Sequence, residues 1–192
     1  MRLSLCLTFT LALLAANPAR ADNTAPSQIS PHADYAEKLD QLFGTLHSAS
    51  STAEAQIAEF KIRAIWSHDN SEDAVMALAK ASVALQLGDF KSAEPLRDQL
   101  VQDHPDFMEA WNRRATMYYM QGRFKESLAD VDKVLALEPR HFGALSGKGA
   151  ILQAQGKNAE ALVVMKEALA IDPFVPGLKD AIDEIKKTQP EL

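Results

Sequence analysis

The side chains that could do catalytic or metal chemistry are dispersed along the chain. No two of the five histidines are three or four residues apart, the spacing that would place two metal ligands on one helix face; they are His32, His47, His68, His104 and His141. His104 and His141 stand close to prolines and are predicted to be solvated loop residues. His68 and Asp69 would make half of a triad, but no Gly-x-Ser-x-Gly turn supplies a nucleophile. The sequence therefore predicts no catalytic residue, no metal and no cofactor, and hence a protein that is not an enzyme.

The charge pattern argues against nucleic acid as a partner. Carboxylates of the second half, such as Asp130 three residues before Lys133, have a spacing from lysines that is typical of solvated helix faces. Without Arg2 and Arg20 the chain holds 18 Lys and Arg against 26 Asp and Glu, a net charge of −8. No run of bases is longer than two, so a phosphate backbone would be repelled.

The N-terminus resembles a cleaved secretory signal. Arg2 precedes an uncharged apolar run over residues 3–16, and Ala19-Arg20-Ala21 offers small residues where a signal peptidase reads them. The run is shorter than the roughly 20 residues that a membrane-spanning helix needs, although an uncleaved anchor is the alternative. We expect a signal peptide over residues 1–21, no stable membrane anchor after cleavage, and loss of Cys6, the single cysteine. Residues 22–33, with two prolines, are expected to be a flexible leader.

Glycines and prolines recur with one common spacing between residues 88 and 173. Gly88, Gly122 and Gly156 are 34 residues apart, and so are Pro105, Pro139 and Pro173. Apolar residues recur between them with helical periodicity. Each unit is therefore predicted to be a helix, a glycine turn, a second helix and a proline stop.

These units resemble the tetratricopeptide repeat, and the unit carrying Trp111, Ala115, Tyr118, Gly122, Phe124 and Pro139 resembles it most fully. The resemblance implies an all-α solenoid with units over residues 74–107, 108–141 and 142–175. Residues 34–73 lack the turn glycine in register and are predicted to be a degenerate capping helix pair. Residues 176–192 are predicted to form a C-terminal capping helix and tail, with Pro176 able to begin that helix. The chain as a whole resembles small exported proteobacterial members of the family, which implies a periplasmic location.

In the tetratricopeptide fold the first helices of successive units line a concave surface that usually holds a peptide or a partner helix. By the repeat register, the predicted partner-binding residues of this chain are Asn112, Arg113, Thr116, Tyr119, Gly143, Ser146, Gly147 and Ala150. The small residues among them are expected to leave a shallow channel, or alternatively only to let two units pack tightly. The clamp that grips carboxylate termini in chaperone-binding members is absent, because Leu78, Ser82, Gly143 and Gly147 stand where its polar residues would be.

Lys80, Arg114 and Lys148 form a basic column with the repeat spacing. It is either a track for an anion or a set of stems that pack between helices while their heads reach a carboxylate such as Asp130.

Three functions remain open at this point. The first is a periplasmic scaffold that holds a protein or peptide of unknown identity through its concave surface. The second is a self-associating structural module, and the third is a docking subunit of an envelope enzyme complex.

Overall fold

The computed structural model describes residues 31–68, 71–189 and 191, and these contain nine helices and no strand. The predicted signal peptide and most of the predicted leader lie outside the described residues. The helices are α1 Pro31–His47, α2 Thr52–Trp66, α3 Glu72–Gln86, α4 Phe90–Asp103, α5 Met108–Met120, α6 Phe124–Leu137, α7 Phe142–Ala154, α8 Asn158–Ile171 and α9 Leu178–Thr188. These helices form an α-solenoid, and the fold class predicted from the sequence is confirmed.

Three consecutive helix pairs, α3–α4, α5–α6 and α7–α8, form the stacked array. Their turn glycines, Gly88, Gly122 and Gly156, have φ between 72° and 74°, a left-handed conformation that costs glycine little and other residues more. Small buried residues, Ala93 and Ala161, lie on the second helices and let the paired helices approach closely. The spacing of these residue types thus sets the turn and the helix contact of each unit.

The last helix covers the C-terminal end of the array. Leu178, Ile182 and Ile185 of α9 join the core of α7 and α8, while the opposite face of α9 carries exposed charges. This helix begins at Leu178, two residues after Pro176, because Gly177 takes the left-handed conformation at its N-cap. The amphipathic stripe predicted from the sequence is the stripe that packs.

The N-terminal helix pair packs against the loops between units. Its core, formed by apolar residues of α1 and α2 such as Phe43 and Trp66, includes Phe142 at the start of α7 and contacts Phe174 in the loop after α8. The pair therefore lies along the edge of the array where the proline-containing loops emerge. This position differs from that of a cap stacked on the first unit. The repeat spacing alone does not predict where the pair packs.

Candidate functional site

A cleft of about 140 Å³ lies between α5 and α7, with residues of α6 contributing to its lining. The floor of the cleft is apolar and is formed by the buried side chains of Val131 and Ile151. Five of the eight predicted partner-binding residues line the cleft: Asn112, Thr116, Tyr119, Gly143 and Gly147. Three predicted residues do not line it: Arg113, Ser146 and Ala150.

Two glycines of α7 have opposite surroundings. A Cβ atom added to Gly147 would meet no atom within 4 Å, whereas one added to Gly149 would lie 2.6 Å from Cγ of Met165. Gly149 therefore lets α7 and α8 pack closely, and Gly147 leaves open space at the cleft. Gly149 is not among the predicted partner-binding residues, and the packing that it allows is within the third unit rather than between two units.

The polar rim of the cleft is held by a buried carboxylate. Glu109, only 5% exposed, accepts hydrogen bonds from Nδ2 of Asn112 at 2.9 Å and from Nε of Arg113 at 2.6 Å. Burial raises the pKa of Glu109, but His141, Arg113 and Asn112 together lower it by more than burial raises it. The pKa of Glu109 therefore lies below the usual value. Arg113, half of whose side chain is exposed, is therefore a counter-charge for Glu109.

The other predicted residues are held by local bonds. Thr116 donates its hydroxyl to the Asn112 carbonyl at 2.9 Å, and Ser146 donates to the Phe142 carbonyl at 2.6 Å. Tyr119 is 41% exposed, with its ring 5.8 Å from that of Phe124. Tyr119 is consequently the large side chain of the cleft that is most available to a partner.

The prediction that His141 is a solvated loop residue is wrong. Its side chain is fully buried, with Nδ1 accepting the backbone N–H of Ala144 at 3.0 Å and the ring stacked 4.0 Å from that of Trp66. The opposite nitrogen, Nε2, faces Glu109 at 3.7 Å. The N-terminal helix pair covers this loop. No sequence feature near Pro139 predicts that the loop is buried.

Charged residues of α2 reach the same loops. The Arg63 guanidinium lies 4.7 Å above the Phe142 ring and 3.6 Å from Glu59. Burial and the nearby charge of Asp172 raise the pKa of Glu59, and burial raises the pKa of Asp172. Two carboxyl groups therefore face each other at the contact between α2 and the loop after α8.

A buried arginine was missed in the sequence. Arg97 on α4 is 1% exposed, and its side chain makes one long hydrogen bond, from Nη2 to the Ala81 carbonyl at 3.4 Å. Its Nε and Nη1 have no hydrogen-bond partner among the described residues. Burial, together with the nearby Arg113 charge, lowers the pKa of Arg97 to about 10. A signal existed, since Val131 and Met165 stand 34 and 68 residues later in the same repeat position.

The basic column is paired within the array. Arg114 makes two hydrogen bonds of 2.8 Å to Asp130 and one of 2.8 Å to Asp98, and Lys148 donates to Asp132 at 2.8 Å. These two heads bind carboxylates of the protein itself, as the packing interpretation of the column expects.

A larger hollow of about 410 Å³ separates the N-terminal pair from the α4–α5 loop. Tyr35, Trp66 and Phe107 are among the residues that line it, and none of the predicted site residues does.

Metal and membrane features were sought over the described ranges. There, no group of three or more His, Cys, Asp or Glu side chains is placed to hold a metal ion. None of the helices in the same ranges combines the length and the apolar character of a membrane span.

Similar proteins agree with this architecture. A TPR repeat-containing protein of Rhizobium etli is 36% identical over 116 residues, which cover 60% of this chain and 57% of that protein. The chain thus spans little more than half the length of this relative. Among solved structures, the first TPR of Spaghetti bound to an HSP90 peptide superposes with a TM-score of 0.60 at 20% identity, covering 64% of this chain and 98% of that one. The TPR2B domain of yeast Sti1 in complex with an Hsp70 peptide gives 0.55 at 20% identity, covering 63% and 98%.

The repeat pattern is also found by a direct family comparison. The tetratricopeptide repeat family matches residues 78–137 and 121–176, which together make up about half of the sequence and contain α5 to α8 completely. Because this match, the 34-residue recurrence and the three stacked helix pairs coincide, the chain belongs to the tetratricopeptide-repeat family.

Proposed function

We propose that this chain is an exported scaffold that holds a segment of a partner protein in the cleft between α5 and α7. The observation that carries the proposal is the open space above Gly147, bounded by the exposed Tyr119 and floored by apolar side chains. Tetratricopeptide domains are protein-interaction modules, and two solved relatives hold chaperone peptides. The cleft of this chain lacks the basic clamp of such sites, so its partner is expected to differ in chemistry.

The size of the cleft limits what it takes. A volume of about 140 Å³ is below the roughly 300 Å³ at which small-molecule pockets begin. It suits one apolar side chain of a partner segment, seated over Val131 and Ile151. The amide of Asn112 and the ring of Tyr119 then border the partner backbone. This arrangement is a side-chain pocket with a polar rim, which is how hot spots in protein interfaces are built.

Arg113 has a structural role. It does not line the cleft, but it neutralises the buried carboxylate of Glu109 at 2.6 Å. Replacing Arg113 by Ala would leave that carboxylate with fewer partners and is expected to destabilise the fold. Variants at Tyr119 and Gly147 therefore separate binding from stability more cleanly.

The experiment compares partner capture by matched variants. Gly147→Leu fills the cleft and Tyr119→Ala removes its rim, while Ala136→Leu adds the same side chain at an exposed position of α6. Envelope extract is passed over each immobilised protein, and bound proteins are quantified by mass spectrometry. We expect a partner retained by the parent and Ala136→Leu and lost at least tenfold from both cleft variants, all four melting within a few degrees of each other. Equal capture by all four would refute the cleft as the binding site.

Export is the second part of the proposal. It is supported by Arg2, the apolar run and Ala19-Arg20-Ala21, which lie outside the described residues. N-terminal sequencing of protein purified from its natural source should begin at Asp22. A mature protein that begins at Met1 would rule out cleavage at this position.

A further inference from the structure

The first helix of the array exposes two apolar side chains at positions that the later units bury. Met76 is 58% exposed and Val83 is 55% exposed, both on α3. The residues 34 and 68 positions later are at most 1% exposed; they are Ala110 and Ala144 for Met76, and Met117 and Ile151 for Val83. The same repeat positions are thus core in two units and surface in one.

In the later units these positions are covered by the preceding unit. Ala110 packs with Leu78 and Leu100, and Met117 packs with Ala93, all from α3 and α4. One unit further on, Ala144 packs against Val134 of α6. The outer face of α3 therefore has the character of a surface that receives a helix of this same chain.

The apolar core of the N-terminal helix pair does not pack on the outer face of α3. Its buried residues pack around Phe142, Phe174 and Val175, along the edge of the array at the third unit. Met76 and Val83 keep more than half of their surface exposed with the pair in that position.

The two ends of the array differ in polarity. The outer face of α9 is charged, with Lys179, Asp183 and Glu184 exposed, so it suits water. Five of the eleven large apolar side chains that stay exposed in the described ranges lie between Val75 and Leu96, on or directly beside α3 and α4. Stacking the apolar end of one molecule on the charged end of another would desolvate those charges, and the pairing of two apolar ends avoids this cost.

We propose that the outer face of α3, formed by Met76 and Val83, docks a second copy of this chain in a closed two-fold dimer. A second copy is the occupant because both buried instances of this surface are covered by helices of this chain, and because the charged α9 end stops growth into a filament. The proposal is independent of the cleft between α5 and α7, which lies on another surface.

The test measures mass in solution against concentration. Sedimentation equilibrium of the purified protein from about 1 to about 100 µM covers the dissociation constants of ordinary dimers. We expect the parent to change from monomer to dimer within this range. Met76→Glu with Val83→Glu should raise the dissociation constant at least tenfold, and the milder Met76→Ser with Val83→Ser should raise it in the same direction. Circular dichroism checks that the helices persist.

Two controls make the result specific. Val163→Glu places the same charge at a position of α8 that is 57% exposed and should leave the dimer unchanged. Gly147→Leu should also dimerise as the parent does, which separates this surface from the cleft. A parent that stays monomeric at the highest concentration, or folded α3 variants that dimerise as well as the parent, would overturn the proposal.

Discussion

Replacing the buried arginine of α4 should stabilise the protein. Arg97 is 1% exposed and has two nitrogens without a hydrogen-bond partner among the described residues. The same position of the next two units carries Val131 and Met165, which are 3% and 1% exposed. Arg97→Met therefore installs a side chain that this repeat position already accepts, and one that is long and flexible enough to fill most of the space left behind.

The magnitude follows from the pKa. Burial and the nearby charge of Arg113 lower the pKa of Arg97 to about 10. Because each pKa unit corresponds to about 1.4 kcal/mol, keeping the guanidinium charged in the fold costs about 3 kcal/mol. This cost already includes the attraction of Glu109, and a methionine in place of Arg97 fills most but not all of the space of the guanidinium. We expect a net gain of about 1 to 2 kcal/mol in the free energy of unfolding, in line with other replacements of buried charges by apolar side chains.

The assay is urea unfolding at neutral pH, followed by circular dichroism, with melting temperatures as a second measure. A gain of 1 to 2 kcal/mol corresponds to roughly 2 to 8 °C for a domain of this size. Arg97→Ala removes the same charge but leaves a cavity, so it should be less stable than Arg97→Met. If Arg97→Met is less stable than the parent, the guanidinium has favourable partners and the reasoning fails.

Two further predictions concern the acid pair and the glycines of α7. Because the pKa of Glu59 is raised in the fold, the folded protein holds a proton that the unfolded chain has lost, and stability falls as pH rises above the usual value of 4.5. Glu59→Gln should therefore melt higher than the parent at pH 7 by an amount that shrinks at pH 5; a constant difference would contradict this. Gly147→Ala should stabilise by about 0.5 to 1 kcal/mol, since it fits open space within a helix, whereas Gly149→Ala should cost about 1 to 3 kcal/mol. Denaturant titration of the two variants side by side decides this, and similar effects would contradict it.

The sequence predicted the array because the array is built from local rules. A glycine that needs positive φ and a proline that ends a helix act within a few residues, and both recur every 34. The cleft followed from the same register, which placed Tyr119 and Gly147 on facing helices. Whether these residues bind a partner remains a prediction.

The parts that sequence reasoning missed depend on contacts between distant residues. His141 is buried because Trp66, 75 residues earlier, covers it. Glu59 meets Asp172 across more than a hundred residues. Neither contact leaves a periodic signal, since no repeat spacing joins the N-terminal pair to the loops that it covers.

These long-range contacts have a consequence for the groove. The N-terminal pair is held by apolar contacts around Phe142, but it also brings the carboxyl of Glu59 against Asp172, which offsets part of that gain. Nη1 of Arg63 lies 3.8 Å from where a Cβ on Gly143 would stand, so α2 comes close to one residue that lines the cleft. A partner that contacts both α2 and the cleft would bind the docked pair better than a displaced one, and by linkage its binding would strengthen the docking by the same free energy. For such a partner, the protonation of Glu59, the position of α2 and the occupancy of the cleft would be energetically coupled.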